Sequence, residues 1–353
     1  MYLKILPFNK TLFKKDFNQV KILIFIMTII LFFNVTLFVV SRYGSYIKVK
    51  KSFIEQNVKY DEKDLIKDCK EDIAWRLEDP GVQSALMIAV PIGLAAILFG
   101  EEKRKKTFEV LAVMPYTRYE IFFNKLIVAL VSIVLPFIIN GVIMLLALGF
   151  ISNLRMFYSM GQVIKWILHS IYCQLPILSF SILFGIITGN LISQLVLTGI
   201  FLIFPMGFSS LIAANLEFWG ITQSLDLNNI YFTSVKFSPL AVYETIGQGV
   251  GYYFLYIAAS IIMIIISKML FDKSMWERNG ELLQFENMEG FFKFGVTLCT
   301  ALLMVVVLIA FLQNYIYDFY ITRFLVLILG YILGGILGYI GAHFSIKLNK
   351  SKE

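Results

Sequence analysis

The chain has 353 residues, 58% of them hydrophobic and only 16% charged, with a mean hydropathy of +0.77. Soluble domains sit nearer half apolar and about a quarter charged; here the apolar excess comes in blocks, which excludes a soluble globular protein and implies a polytopic membrane protein. The net charge of +7 is read in such a chain as Lys and Arg on the inner membrane face, and not as nucleic-acid binding.

Residues 1–20 come first. Lys4, Lys10, Lys14 and Lys15 alternate with Phe8, Leu12, Phe13, Phe17 and Val20, which fall on one helical face. That pattern predicts a helix lying in the membrane interface, apolar side down, among membrane lipids. The first span follows over 21–40. Its apolar run is too long for a signal peptide, and Ser41-Arg42-Tyr43 offers no small-x-small cleavage site, so the span is expected to stay uncleaved. Residues 42–82 hold nine basic and nine acidic residues, with Leu65, Ile66, Cys69, Ile73 and Leu77 at helical spacing, and read as a solvated helical excursion.

The second span covers 83–99 and contains Pro91 and Gly93, which membrane helices tolerate. A polar segment, 100–120, follows. The third span, 121–150, is interrupted by Pro136, Asn140 and Gly141. The fourth runs over 163–188, the fifth over 191–214, with a tight turn at Gly189-Asn190. A second long loop, 215–249, has Lys236 as its one basic residue. The sixth span is 250–270, a polar linker fills 271–293, and two further spans and a basic tail occupy 294–353. The expectation is an all-α membrane protein of about eight transmembrane helices.

Eight spans put both ends on one side. With the N-terminus inside, 18 Lys and Arg lie on inner segments and 13 outside, nine of those 13 in the charge-balanced excursion. The positive-inside rule then makes both termini and the 100–120 segment cytoplasmic.

That segment is the most informative stretch. A connection that only reversed the chain would need about five residues. This one opens with six consecutive charges, Glu101, Glu102, Lys103, Arg104, Lys105 and Lys106, continues as a short helix over 107–114, and is closed by Pro115. Thr117-Arg118-Tyr119-Glu120 fits a capping box, with Tyr116 and Ile121 placed as a hydrophobic staple. The third span therefore starts as a defined helix before it enters lipid.

The run of Glu102, Lys105, Lys106, Thr107, Phe108, Glu109, Leu111, Pro115, Arg118, Ile121 and Lys125 resembles the cytoplasmic signature of ATP-binding cassette (ABC) transporter permeases of the type-2 export family. In that family the signature lies between the second and third spans, as here. It departs at two glycines: Lys106 stands where Gly precedes the Thr, and Asn124 where Gly precedes the Lys. The resemblance implies a coupling helix that docks on an ATPase subunit through contacts involving Glu102, Glu109 and Arg118, within a coupling set of Glu101, Glu102, Lys103, Arg104, Thr107, Glu109, Leu111, Pro115, Thr117, Arg118 and Glu120. It implies a six-span permease core over 1–270, pairing with a second permease copy or paralogue, and ATP and Mg held by the partner ATPase. The linker resembles that of eight-span bacterial relatives, which implies a bacterial plasma membrane. The chain itself carries no Gly-x-x-x-x-Gly-Lys-Ser/Thr loop, so no bound cofactor and no hydrolysis of its own are expected.

Other residues carry less specific signals. Lys165 and His169 share one face of the fourth span and, with Asn140, are candidates for a pathway; anchoring at the interface is the plainer reading. Gly330, Gly334 and Gly338 recur every four residues in the last span and predict close helix packing. Cys69, Cys173 and Cys299 form no Cys-x-x-Cys pair, so neither a metal site nor a disulfide framework is indicated. The alternatives are an ATPase-independent secondary transporter or channel, a membrane-embedded enzyme, and a membrane sensor or resistance component.

Overall fold

A computed structural model of the protein describes residues 8–57, 59–78, 81–221, 227–243, 250–316 and 320–348. Its helices in chain order are α1 (Lys10–Leu31), α2 (Leu37–Glu55), α3 (Glu62–Glu78), α4 (Gly81–Ala95), α5 (Glu102–Arg104), α6 (Thr107–Ala112), α7 (Arg118–Phe150), α8 (Met160–Ile187), α9 (Leu191–Phe218), α10 (Leu227–Val235), α11 (Val250–Lys273), α12 (Asn287–Ile316) and α13 (Tyr320–Leu348). Eight helical stretches among the described residues are long and apolar enough to cross a membrane. The all-α, multi-pass architecture expected from the sequence is the one observed. Residues 1–7 of the expected interfacial helix, Lys350 and Lys352 of the tail, and residues 222–226 and 244–249 of the second long loop lie outside the described residues.

The chain divides into two units. The first comprises residues 8–98 and 117–178 of the described chain. Here the structure corrects one expectation. Residues 10–20 do not form a separate interfacial helix, because α1 continues through a π turn, Phe32–Thr36, into α2 without a break. The physical reason is a competing surface. Leu12, Asp16, Val20, Ile24, Met27 and Leu31 form one buried stripe along α1, and α1 packs against α7. The start of α1 is tied down as well: the Asn9 side chain caps it by accepting from the Thr11 and Leu12 amides, and the Asn9 amide donates to Asn124 Oδ1 at 3.0 Å.

Further polar contacts cross that helix pair. Lys125 of α7 is 0% exposed, and its Nζ lies 3.4 Å from the buried Asp16 carboxylate. Further along, Asn140 donates to the Thr28 carbonyl at 3.2 Å and to the Pro136 carbonyl at 2.9 Å, and accepts from the Thr36 hydroxyl at 2.7 Å. In the 42–82 region α2 runs on to Glu55 and α3 lies against it, with Tyr46 and Lys50 both donating to Glu62 and Arg42 paired with Asp72.

The second unit comprises residues 99–116 and the described chain from 179 onward. Its last two helices, α12 and α13, form an antiparallel hairpin. A Cβ on Gly330 would meet Val305, one on Gly334 would meet the Thr300 carbonyl and the Ala301 Cα, and one on Gly338 would meet Thr300 and Thr297. The four-residue glycine spacing is thus spent on packing within the chain, where small residues let two backbones approach. Asn215 of α9 donates to the Leu302 carbonyl at 3.2 Å and accepts from the Tyr331 hydroxyl at 2.7 Å, which pins the far end of α9 to both helices.

The Asp16–Lys125 pair generates a prediction. Asp16 also lies 3.3 Å from Lys15 Nζ, so it keeps a cation when Lys125 is lost. Removing Asp16 instead takes the carboxylate from the fully buried Lys125. Breaking such a pair costs about 3–5 kcal/mol, whereas replacing both by apolar residues can be neutral. Asp16→Leu alone is expected to lower thermal stability in detergent markedly, and Asp16→Leu/Lys125→Met to recover most of the loss. Equal stability of the single variant and the wild type would show that the pair does not hold α1 to α7.

Candidate functional site

The 100–120 segment is where the sequence concentrates its signals. The helix of the second span does not stop at Ala95. A π turn, Ala96–Glu101, carries it into α5, and such widened turns re-aim the side chains that follow. The run of six charges is therefore divided between two directions. Arg104, Lys105 and Lys106 are exposed, while Glu102 and Lys103 are 1% and 4% exposed and point inward. Glu101 is half-buried and receives both Arg104 at 2.6 Å and Lys105 at 3.0 Å.

Lys103 is the centre of this arrangement. Its Nζ donates to the Ile186 carbonyl at 3.1 Å, the Thr188 carbonyl at 2.5 Å and Gln284 Oε1 at 2.5 Å. An ammonium has three protons to donate, and all three are used. The acceptors come from the α8–α9 turn and from the linker before α12, so one side chain joins three parts of the chain.

The linker is fastened to the same turn by backbone bonds. The Gln284 amide donates to Ile187, and the Gly280 amide to Gly189, both at 2.8 Å. The Gln284 side chain donates in turn to the Met275 carbonyl. Asn190 caps α9 by accepting from the Ser193 amide at 2.8 Å and donates to the Gly280 and Glu281 carbonyls. Gly189 is required by proximity, because a Cβ there would strike the carbonyl oxygens of Glu281 and Arg278. Gly280 is required by conformation, with φ at +104°. Arg278 binds Glu281 and, at 3.0 Å, Glu289. Burial opposes its charge, but these hydrogen bonds outweigh that and raise its pKa above the ordinary value.

α6 sits on an aromatic support. Phe108 is fully buried, with its ring 5.8 Å from Phe271 and 5.7 Å from Trp276, and Phe271 also meets Phe99 at 6.3 Å. Leu111 is buried beside it and Thr107 is half-buried. The opposite face is open: Glu109, Val110, Val113, Met114 and Pro115 are exposed, Val113 by 85%. Lys106, just before α6, has φ +55° and ψ +24°. This is the position where the resembled family has glycine, and the left-handed backbone that glycine favours is present here with a lysine.

The head of α7 forms as expected. Thr117 Oγ1 accepts from the Glu120 amide at 3.2 Å, and the Glu120 carboxylate accepts from the Thr117 amide at 2.9 Å. Arg118 is half-exposed there. The remaining candidates fall elsewhere. Lys165 is exposed and pairs with Glu78 at 3.0 Å, and His169 lies 3.5 Å from Cys173 one turn on. Asn140, weighed as a pathway residue, is buried with its amide and carbonyl both engaged as the α1–α7 stitch. These three do not form one cluster. Among the described residues no group of three or more His, Cys, Asp or Glu side chains could hold a metal ion.

The residues that sequence reasoning missed are Gln284, Arg278 and Asp16. Gln284 gives no periodic signal, because its partners are the Lys103 ammonium 181 positions away, the Ile187 carbonyl and the Met275 carbonyl. Asp16 stood inside a basic stretch and read as one more polar position.

Two outcomes are expected here. Lys103→Met leaves two carbonyls and Gln284 Oε1 without their donor, at a cost of about 1–3 kcal/mol; limited trypsin digestion should cut at Arg278 faster than in the wild type. Unchanged cutting would separate Lys103 from the linker. Lys106→Gly removes a strained left-handed residue and should raise the thermal midpoint, by a free energy of about 1 kcal/mol; a fall would show that its side chain is needed in place. No family model, curated protein or solved structure matches this chain.

Proposed function

We propose that this chain is the membrane subunit of an ATP-driven exporter of the type-2 ABC permease class. In this reading it lines the pathway together with a second copy or paralogue, and draws its power from separate ATPase subunits that hold ATP and Mg. The observation that carries the reading is the exposed face of α6. Val110, Val113 and Met114 stand in solvent on a short helix whose other face is fixed by Phe108 and Leu111. Exposed apolar residues on a rigid support, flanked by Lys105, Lys106 and Glu109, suit a protein partner. Glu102 and Lys103 serve differently: being buried, they hold the docking element and do not touch the partner.

The same support would carry a push from the partner. Phe108 transmits through Phe271 to α11 and through Trp276 to the linker, and Lys103 transmits to the turn that opens α9. The ATPase must prefer one arrangement of these elements over another for its binding to do work. The distribution of Lys and Arg supports a plasma-membrane protein with the α6 side and both termini in the cytoplasm.

A second reading, a secondary transporter or channel without an ATPase, draws on the buried Asp16–Lys125 pair, since buried charges in membrane helices often mark ion pathways. A sensor or resistance component would share the docking face. The deciding experiment is co-purification with the ATPase encoded beside this chain. Val113→Asp and Glu109→Arg are expected to cut ATPase recovery at least tenfold while leaving expression and monodispersity intact. Recovery unaffected by these changes, or by replacing residues 107–114 with Gly and Ser, would rule out docking through α6.

A further inference from the structure

We infer that the second unit holds a bilayer phospholipid, with one acyl chain in the groove between α9 and α12 and its anionic headgroup at Arg104. The groove has a volume of about 660 Å³, inside the range of about 300–1,000 Å³ usual for sites that take small amphiphiles. It lies between the stretches 191–204 of α9 and 291–300 of α12, with Asn215, Leu302 and Tyr331 holding the two helices together beyond it.

The lining changes character along its length. Its walls are Val196, Ile200, Phe204 and Val296, and its floor joins the apolar cluster around Phe184, Leu197 and Leu283 through Phe201 and Phe292. Polar groups gather at one end: Arg104, Asn190, Ser193 and Ser345. At that end Glu101 is shared by Arg104 and Lys105, so two cations meet one carboxylate and the mouth is net positive. A long apolar slot with a cationic mouth complements an anionic amphiphile.

The surroundings identify that amphiphile as a membrane lipid. Val196, Ile200 and Phe291 are 52%, 53% and 70% exposed on spans that face hydrocarbon, so the slot opens sideways into the bilayer. An apolar hollow that stayed empty would forfeit the dispersion contacts of its walls, and acyl chains are the molecules at hand. Because acyl chains lose no hydrophobic energy by leaving lipid, the mouth decides which lipid is preferred. One basic residue near the surface favours an anionic lipid about fivefold. The site does not depend on the docking role of α6.

The test is photo-crosslinking in phosphatidylcholine nanodiscs, with phosphatidylglycerol or phosphatidylcholine carrying a diazirine midway along one acyl chain. Adducts are expected on Val196, Ile200 and Cys299 well above those on Ile332 and Ile336 of α13, with phosphatidylglycerol labelling about fivefold more. Val196→Trp/Cys299→Trp should abolish the groove adducts for both lipids. Arg104→Ala, at an exposed side chain, should remove the headgroup preference and keep the acyl adducts. Labelling spread evenly over the groove and α13, adducts that survive the tryptophans in a monodisperse variant, or a headgroup preference indifferent to Arg104 would each overturn the site. So would displacement of the adducts by a neutral apolar compound with no dependence on headgroup charge, which would mark a pocket for apolar solutes.

Discussion

A buried ammonium is tolerated only where its protons are accepted, and the second unit is built around meeting that demand for Lys103. Two of the acceptors are carbonyls at the end of α8, and the third is a side chain in the linker before α12. Neither group could be where it is without Gly189 and Gly280, which allow the turn and the linker to approach until their backbones bond. The aromatic support of Phe108, Phe271 and Trp276 extends the same assembly to α6 and α11. What reaches the solvent, the apolar edge of α6, is a small surface on a large anchored base. A local event at Val113 would therefore be felt at the entry to α9 and at the head of α12.

The first unit uses polar groups to select helix partners. Within a bilayer, hydrocarbon gives helices little reason to associate, so packing and a few internal hydrogen bonds do the selecting. Asn140 makes two such bonds to the first helical rod, to Thr28 and from Thr36 of its π turn, and Asp16 meets Lys125 nearer its start. These contacts explain why the amphipathic beginning of the chain stands against α7. Amphipathicity announces an apolar face and is silent about what covers it.

The same distinction separates what the sequence made legible from what it did not. The number of long apolar helices, the capping box at Thr117 and the close packing at Gly330, Gly334 and Gly338 are local or periodic properties, and each was readable. The length and separate plan of the 100–120 segment were readable too. The inward turn of Glu102 and Lys103 was not, because a run of six charges looks uniformly solvated until a π turn rotates two of them away from water. Lys106 illustrates an intermediate case. Its departure from a glycine pattern was visible, but only the structure shows that the backbone kept the glycine geometry and accepted the strain.

The separation between Lys103 and Gln284 has a consequence for biosynthesis. The two residues lie 181 positions apart. At about 5–20 residues per second, a ribosome needs roughly ten to forty seconds to make the chain between them. Throughout that interval the lysine lacks its last acceptor, and a cation in that state is at lowest energy in water. The spans before α11 must thus be inserted with this corner still open and wet. The linker closes it only when the chain ahead of α12 emerges, so the contact that organises the mature second unit is among the last to form.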